Sequence, residues 1–162
     1  MVRVVDRHGK SVGEMSLVYS GRIEAIEWDK EGESVAILQK DNTSVVVWTI
    51  ATKNYNDIEL SSGTGSKERG SWIKWSKTHP MLAIGTEKGS IYFFDKKTQR
   101  RIPNLGKHGK KVISGDWNEQ GYLITSAEDK LVTVSDHSGK TLQSIQLPGK
   151  SALRELAWTK IK

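Results

Sequence analysis

Apolar positions along this chain come in short bursts separated by polar turns, and nowhere do they hold a 3.6-residue spacing for the ten or more residues a helix needs. One phrase recurs: Ile23-Glu24-Ala25-Ile26-Glu27-Trp28, then Trp72-Ile73-Lys74-Trp75, Ile113-Ser114-Gly115-Asp116-Trp117 and Leu153-Arg154-Glu155-Leu156-Ala157-Trp158. Its tryptophans fall 47, 42 and 41 residues apart. Behind each of the first three comes an apolar run (35–38, 82–84, 123–125), a polar turn (40–43, 87–89, 128–130) and a run rich in β-branched or aromatic residues (45–48, 91–94, 131–134). Such residues fit a pleated, half-buried surface and the Asn, Asp and Gly between them supply turn geometry, so each pair of runs predicts a hairpin. A further segment closes each unit, at 56–60, 100–104 and 141–147, and turns at 29–32, 77–80 and 118–121 join the tryptophan strand to the next.

Four short strands repeating every roughly 40–45 residues mark a propeller blade. The pattern predicts an all-β chain, an incomplete β-propeller of about four blades. A half blade occupies 1–19, with its third and fourth strands at 2–6 and 15–18; whole blades follow at 20–60, 70–106 and 107–149. Residues 150–162 hold the first strand of a following blade. Trp28, Trp75, Trp117 and Trp158 recur at one phase of one strand, and are expected to pack as core between neighbouring blades.

The third-strand ends Trp48-Thr49, Phe94-Asp95 and Ser135-Asp136, with Gly106-Lys107-His108, resemble in degenerate form the Trp-Asp and Gly-His signatures of WD-repeat proteins. The resemblance implies a His, a strand Ser or Thr, a turn Asp and the Trp linked by side-chain hydrogen bonds. No blade has all four; His108 with Asp129 comes nearest, with Ser135 in the Trp slot. Longer stretches, among them Asp6-Arg7-His8-Gly9-Lys10, Leu82-Ala83-Ile84-Gly85-Thr86-Glu87-Lys88-Gly89 and the run 101–108 leading into Gly115-Asp116-Trp117-Asn118, are similar to the first propeller of a WD-repeat subunit of intraflagellar transport complex A. That resemblance implies a non-enzymatic scaffold of the cytoplasm, cilium and ciliary basal body. It would join other subunits of the complex in retrograde transport and in admitting membrane cargo to the cilium. A WD-repeat scaffold of another transport or coat complex is the alternative. A propeller lectin or enzyme is less favoured, because the loops at 61–70, 106–111 and 148–151 share little beyond glycine and lysine and so repeat no ligand site.

Composition narrows the chemistry. With no cysteine there is no disulfide framework and no thiolate metal site. The longest apolar run, at 45–50, is far short of the roughly 20 residues of a membrane span. No leader pattern is evident, so a cytosolic compartment is expected and Asn42-Thr43-Ser44 reads as a turn and not as a glycosylation acceptor. The histidines His8, His79, His108 and His137 show no paired-ligand spacing, and no carboxylate pair is placed for acid–base work. No catalytic, cofactor or metal site is therefore expected. The glycine-rich stretch 61–67 has strands on both sides and lacks the Gly-Lys-Ser/Thr order of a nucleotide loop, so it reads as a loop between blades.

A formal charge of +6 favours acidic partners. Lys96, Lys97, Arg100, Arg101, Lys107, Lys110 and Lys111 follow one another with no Asp or Glu among them, a candidate site for an acidic protein or a phosphoinositide. Nucleic acid is not expected, because no aromatic falls between Phe94 and Trp117 to stack on bases. Three blades and fragments leave the ring open, with strand edges and apolar faces at 2–18 and 153–158 that invite self-association as a homodimer, expected of this stretch taken as a fragment and not of an intact protein.

Overall fold

The computed structural model describes residues 1–102, 107–150 and 155–159, and all regular structure among them is strand. A two-stranded sheet pairs β1 (Val2–Val5) with β2 (Ser11–Met15). Three four-stranded sheets follow. The first holds β3 (Ile23–Trp28), β4 (Ser34–Gln39), β5 (Ser44–Thr49) and β6 (Asn54–Glu59). The second holds β7 (Gly70–Trp75), β8 (Met81–Thr86), β9 (Ile91–Asp95) and β10 (Arg100–Ile102), and the third β11 (Val112–Trp117), β12 (Leu123–Ala127), β13 (Leu131–Ser135) and β14 (Thr141–Gln146). Each is an antiparallel meander in chain order. First strands of successive sheets touch, β3 with β7 and β7 with β11, so they form the inner side of an open propeller.

Register repeats with the sequence. Trp28, Val35 and Trp48 lie side by side across the first whole blade, as do Trp75, Leu82 and Phe94 in the second and Trp117, Leu123 and Ser135 in the third. The degenerate Trp-Asp slots are thus one structural position. In the first and second blades the second and third strands carry apolar side chains on both faces, because each of these blades has another sheet on either side. One cluster joins first blade to second through Leu38, Val47, Ile58, Trp75, Ile84 and Phe94. Another joins second to third through Ala83, Phe93, Trp117 and Leu123, and a third seats Val2, Val4 and Met15 of the half blade on Val35, Ile37 and Trp48.

The differences from the sequence reading have local causes. The half blade's outer strand is Ser11–Met15 and not 15–18, because Asp6 turns the chain at once: its carboxylate accepts from the His8 and Lys10 N–H groups at 2.8 and 3.0 Å, and Met15 then pairs with Val2. The outer strand of the second blade is described only as Arg100–Ile102; positions 103–106, including Gly106, lie outside the described residues, as do 151–154 with Leu153. Residues 155–159 join no ladder but run beside β11, with Leu156 N–H on Ser114 Oγ at 2.9 Å and Trp158 N–H on Asp116 Oδ2 at 3.0 Å. The Asn42 side chain donates to Ser20 O, and the 61–67 loop folds as a miniature hairpin bridged between Ser61 and Lys67.

Trp28 is the main departure. Trp75 and Trp117 are 5% and 0% exposed, whereas Trp28 is 43% exposed. A core tryptophan of this series rests on the first strand of the preceding blade, and the β1–β2 sheet presents no first strand to Trp28.

Candidate protein-binding faces

A meander places every blade-to-blade connection and every second-to-third turn at one end, here the upper face, and the other turns at the lower face. On the upper face each blade ties its incoming loop to its own central hairpin, and each uses different chemistry. In the first blade Gln39 Nε2 donates to the carbonyls of Tyr19 and Gly21 at 2.9 and 3.0 Å. In the second, the carboxylate of Glu68, 4% exposed, accepts from the hydroxyls of Thr86, Ser90 and Tyr92 at 2.7, 3.1 and 3.3 Å. In the third, His108 Nδ1 lies 3.3 Å from Asp129 Oδ1, and Nε2 lies 3.0 Å from Thr125 Oγ1, which meets Thr133 Oγ1 at 2.9 Å. Burial holds the His108 pKa below the usual histidine range although Asp129 pulls the other way. The neutral ring therefore donates from Nδ1 to Asp129 and accepts at Nε2 from Thr125, whose own oxygen accepts from Thr133. Asp129 is also occupied by the Gly109 and Leu131 N–H groups at 2.8 and 3.0 Å. His108 and Asp129 are brought together, and the chain of side-chain bonds from them ends on Thr133.

Nothing in the sequence singled out Glu68. It stands seven residues before its blade's tryptophan, where His108 stands nine before its own, so the two do not align. Gly89 completes this junction. It has φ +94°, an added Cβ would lie 2.2 Å from His108 O, and its own carbonyl accepts the His108 N–H at 3.1 Å.

The seven basic residues are split by the fold. Lys96 lies at the lower face, where its ammonium contacts Asp29 of the preceding blade, with Glu31 at 3.5 Å and Glu33 at 3.4 Å. Asp29 resists desolvation and ends with a lowered pKa through Lys96 and the Ser34 and Glu33 N–H groups, while the same carboxylates raise that of Lys96 against its burial. Arg101 donates through Nη1 to the carbonyls of Glu59 and Ser61 at 2.7 and 3.0 Å and covers the Tyr92 ring at 4.9 Å. It lies on an open groove of about 290 Å³ between β6 and β9–β10 that also includes Asp57, Glu59 and Gln99. Lys107 donates to Gly139 O at 2.7 Å and to Thr141 Oγ1, and desolvation lowers its pKa. Lys96 and Arg101 are therefore taken up in joining the second blade to the first, and Lys107 in fastening the incoming connection of the third blade to that blade's outer turn. Lys97 and Arg100 are exposed at the lower turn, and Lys110 and Lys111 on the upper face, with no ion pair to a described residue.

Lys111 belongs to a series the sequence did not reveal. The residue just before each first strand accepts, through its carbonyl, the N–H of the residue ending the second strand or just beyond it: Arg22 from Lys40, Arg69 from Glu87, Lys111 from Glu128. All three are exposed cations, so the upper face carries one per whole blade at equivalent places. Arg22 and Arg69 are loosely paired, with Glu24 at 3.3 Å and Asp41 at 3.7 Å. At the lower face His79 and His137 stack across the second and third blades with centroids 4.4 Å apart.

Comparison with known proteins agrees with this architecture. The chain is 33% identical over all 162 residues to WD repeat-containing protein 19 of Mus musculus, and 33% identical over 147 residues to its Homo sapiens counterpart. It is 30% identical over 131 residues, 81% of the chain, to WD repeat-containing protein dyf-2 of Caenorhabditis elegans. It spans 12%, 10% and 9% of the lengths of these relatives. Among solved structures, the computationally designed Ika8 protein superposes with TM-score 0.71 over 94% of this chain and 45% of that one, at 17% identity. The designed Ika4 protein does so with TM-score 0.68 over 91% of this chain and 88% of that one, at 18% identity. The family described as the WDR19 first beta-propeller matches residues 1–162, and the chain belongs to that family.

Proposed function

We propose that this chain is a binding scaffold of intraflagellar transport complex A, acting in retrograde ciliary transport and in the admission of cargo to the cilium. It works by holding partners and not by catalysis. The observation that carries this reading is similarity along the whole chain to the first propeller of WD repeat-containing protein 19, together with the motif resemblance in 101–118. Its location is the cytoplasm, ciliary basal body and cilium; a ciliary WD repeat-containing protein of Euplotoides octocarinatus, 27% identical over 110 residues, supports a ciliary setting. The partner surface is the upper face, where Lys110 and Lys111 stand unpaired among the described residues and Arg22 and Arg69 hold the places equivalent to Lys111 in the other two whole blades. Its ligand is an acidic protein surface, with a phosphoinositide headgroup as the alternative acidic ligand.

The test is expression of the tagged chain in ciliated cells, followed by localisation and affinity purification. Complex A subunits should co-purify and the signal should collect at the ciliary base. Recovery of coat-complex subunits without any ciliary signal would overturn the proposal. Changing Lys110 and Lys111 together to Glu should weaken capture as added salt does, with melting unchanged, because both side chains are exposed. Phosphoinositide vesicles serve as the second arm, and capture indifferent to both treatments would refute the assigned face.

A further inference from the structure

The outer strand of each blade lies on the rim of the propeller, and β6 is one whose blade has a described sheet on either side. Its register shows which main-chain groups face outward. Leu60 N–H donates to Thr43 O at 2.8 Å and Ile50 N–H to Glu33 O at 3.1 Å. These bonds fix the alternation along an unbroken ladder from Thr49–Asn54 to Ser44–Glu59. Asn54, Asn56 and Ile58 turn their main-chain groups to β5, and Tyr55, Asp57 and Glu59 turn theirs away from it. Arg101 of the second blade agrees with this phase, since it reaches across to Glu59 O at 2.7 Å. No described residue bonds the N–H and C=O of Tyr55 or Asp57, or the N–H of Glu59.

The surroundings of this edge select what can lie along it. On the side of the second blade runs the groove of about 290 Å³, lined there by Asn56, Ile58, Phe94 and Gln99. Alternation puts Tyr55, Asp57 and Glu59 together on the other face of the strand, and all three are exposed. Glu59 holds Lys67 at 2.9 Å, so a lysine already fits this face; Asp57 accepts from the Tyr19 hydroxyl but meets no cation among the described residues. A second copy suits the edge poorly, because β6 paired antiparallel with β6 would set Asp57 against Asp57 or Glu59, and like charges directly opposite destabilise a strand pair.

We propose that β6 takes an extended, basic segment of a partner protein as an added strand. The main chain of that segment exchanges N–H···O bonds with Asp57 and Tyr55 and accepts the Glu59 N–H. Its alternate residues are Lys or Arg, set opposite Asp57 and Glu59, with a third cation over the Tyr55 ring. The residues between them are short and apolar and enter the groove. Arg101 marks the upper end of the added strand, because it already occupies Glu59 O. The site lies on the rim and its ligand is cationic, so it is separate from the upper face and its acidic ligand.

NMR titration of the isotope-labelled 162-residue chain with the synthetic peptide acetyl-Thr-Lys-Val-Lys-Val-Lys-Thr-amide, up to millimolar concentration, tests this. The amide signals of Tyr55, Asp57 and Glu59 should shift and their hydrogen exchange should slow. N-methylation of the peptide's central lysine removes a donor that faces β6 and should weaken binding about tenfold, whereas N-methylation of a valine, whose N–H points away, should leave it almost unchanged. Asp57→Lys should weaken binding about tenfold and Asp57→Asn less, with melting almost unchanged because the side chain is exposed. A peptide with glutamate in place of each lysine should not bind. No binding of the lysine peptide, shifts on the upper face instead of β6, or binding indifferent to the central N-methyl group, to Asp57→Lys or to the glutamate exchange would each overturn the proposal.

Discussion

The tryptophan series permits a sharp comparison, because the same substitution at two points of one repeat should have different costs. A fully buried tryptophan removes about 200 Å² from water, which at about 25 cal/mol per Å² is an upper figure of about 5 kcal/mol. Trp117 is 0% exposed and receives all of it, plus about 1 kcal/mol from its indole bond to Lys74 O. Trp28 is 43% exposed, so it receives little more than half the burial, and its indole has no partner among the described residues. Trp117→Ala should therefore cost about 4–5 kcal/mol, within the range for buried aromatic truncation, and Trp28→Ala about 2 kcal/mol. Urea unfolding followed by fluorescence measures both; the slopes should agree and the midpoints differ. Equal costs, or a Trp117→Ala loss below about 2 kcal/mol, would refute the reasoning that blade contact and not strand position gives these residues their weight.

Two further outcomes follow from the upper-face networks. Glu68→Ala leaves the hydroxyls of Thr86, Ser90 and Tyr92 without their acceptor and should cost about 2–4 kcal/mol by urea unfolding, whereas Glu68→Gln should cost less because one oxygen remains to accept. His108 has a pKa below its unfolded value, so the unfolded chain takes up a proton below about pH 6.5 while the folded chain does not. Stability should be full above that pH and fall as pH drops toward the folded pKa; thermal melts from about pH 7.5 to about 5 should show the decline, and His108→Gln should flatten it.

Much of this protein could be read from its residues. The interval between tryptophans, the β-branched runs and the Asn, Asp and Gly turns are local or periodic signals, and they place three four-stranded blades and the register that aligns Trp48, Phe94 and Ser135. Strand ends were less legible, because a short-range competitor decides them: the Asp6 carboxylate turns the chain early and brings the outer strand of the half blade forward to Ser11.

What a side chain does once the blades stack was beyond any periodic signal. The run from Lys96 to Lys111 reads as one basic surface, yet Lys96 meets Asp29 of the neighbouring blade and Arg101 meets carbonyls about 40 residues away. Glu68 looks like any loop acid until folding places three hydroxyls around it, and Trp28 looks like its sister residues until its neighbour proves to be a sheet without a first strand. Alternation and turn chemistry act between residues close in sequence, so the sequence by itself determined strands, hairpins and repeat. Burial and charge pairing act between blades, across separations of 40 residues or more, so only the tertiary structure decided which tryptophans are core and which cations are taken up by ion pairs and carbonyls of a neighbouring blade.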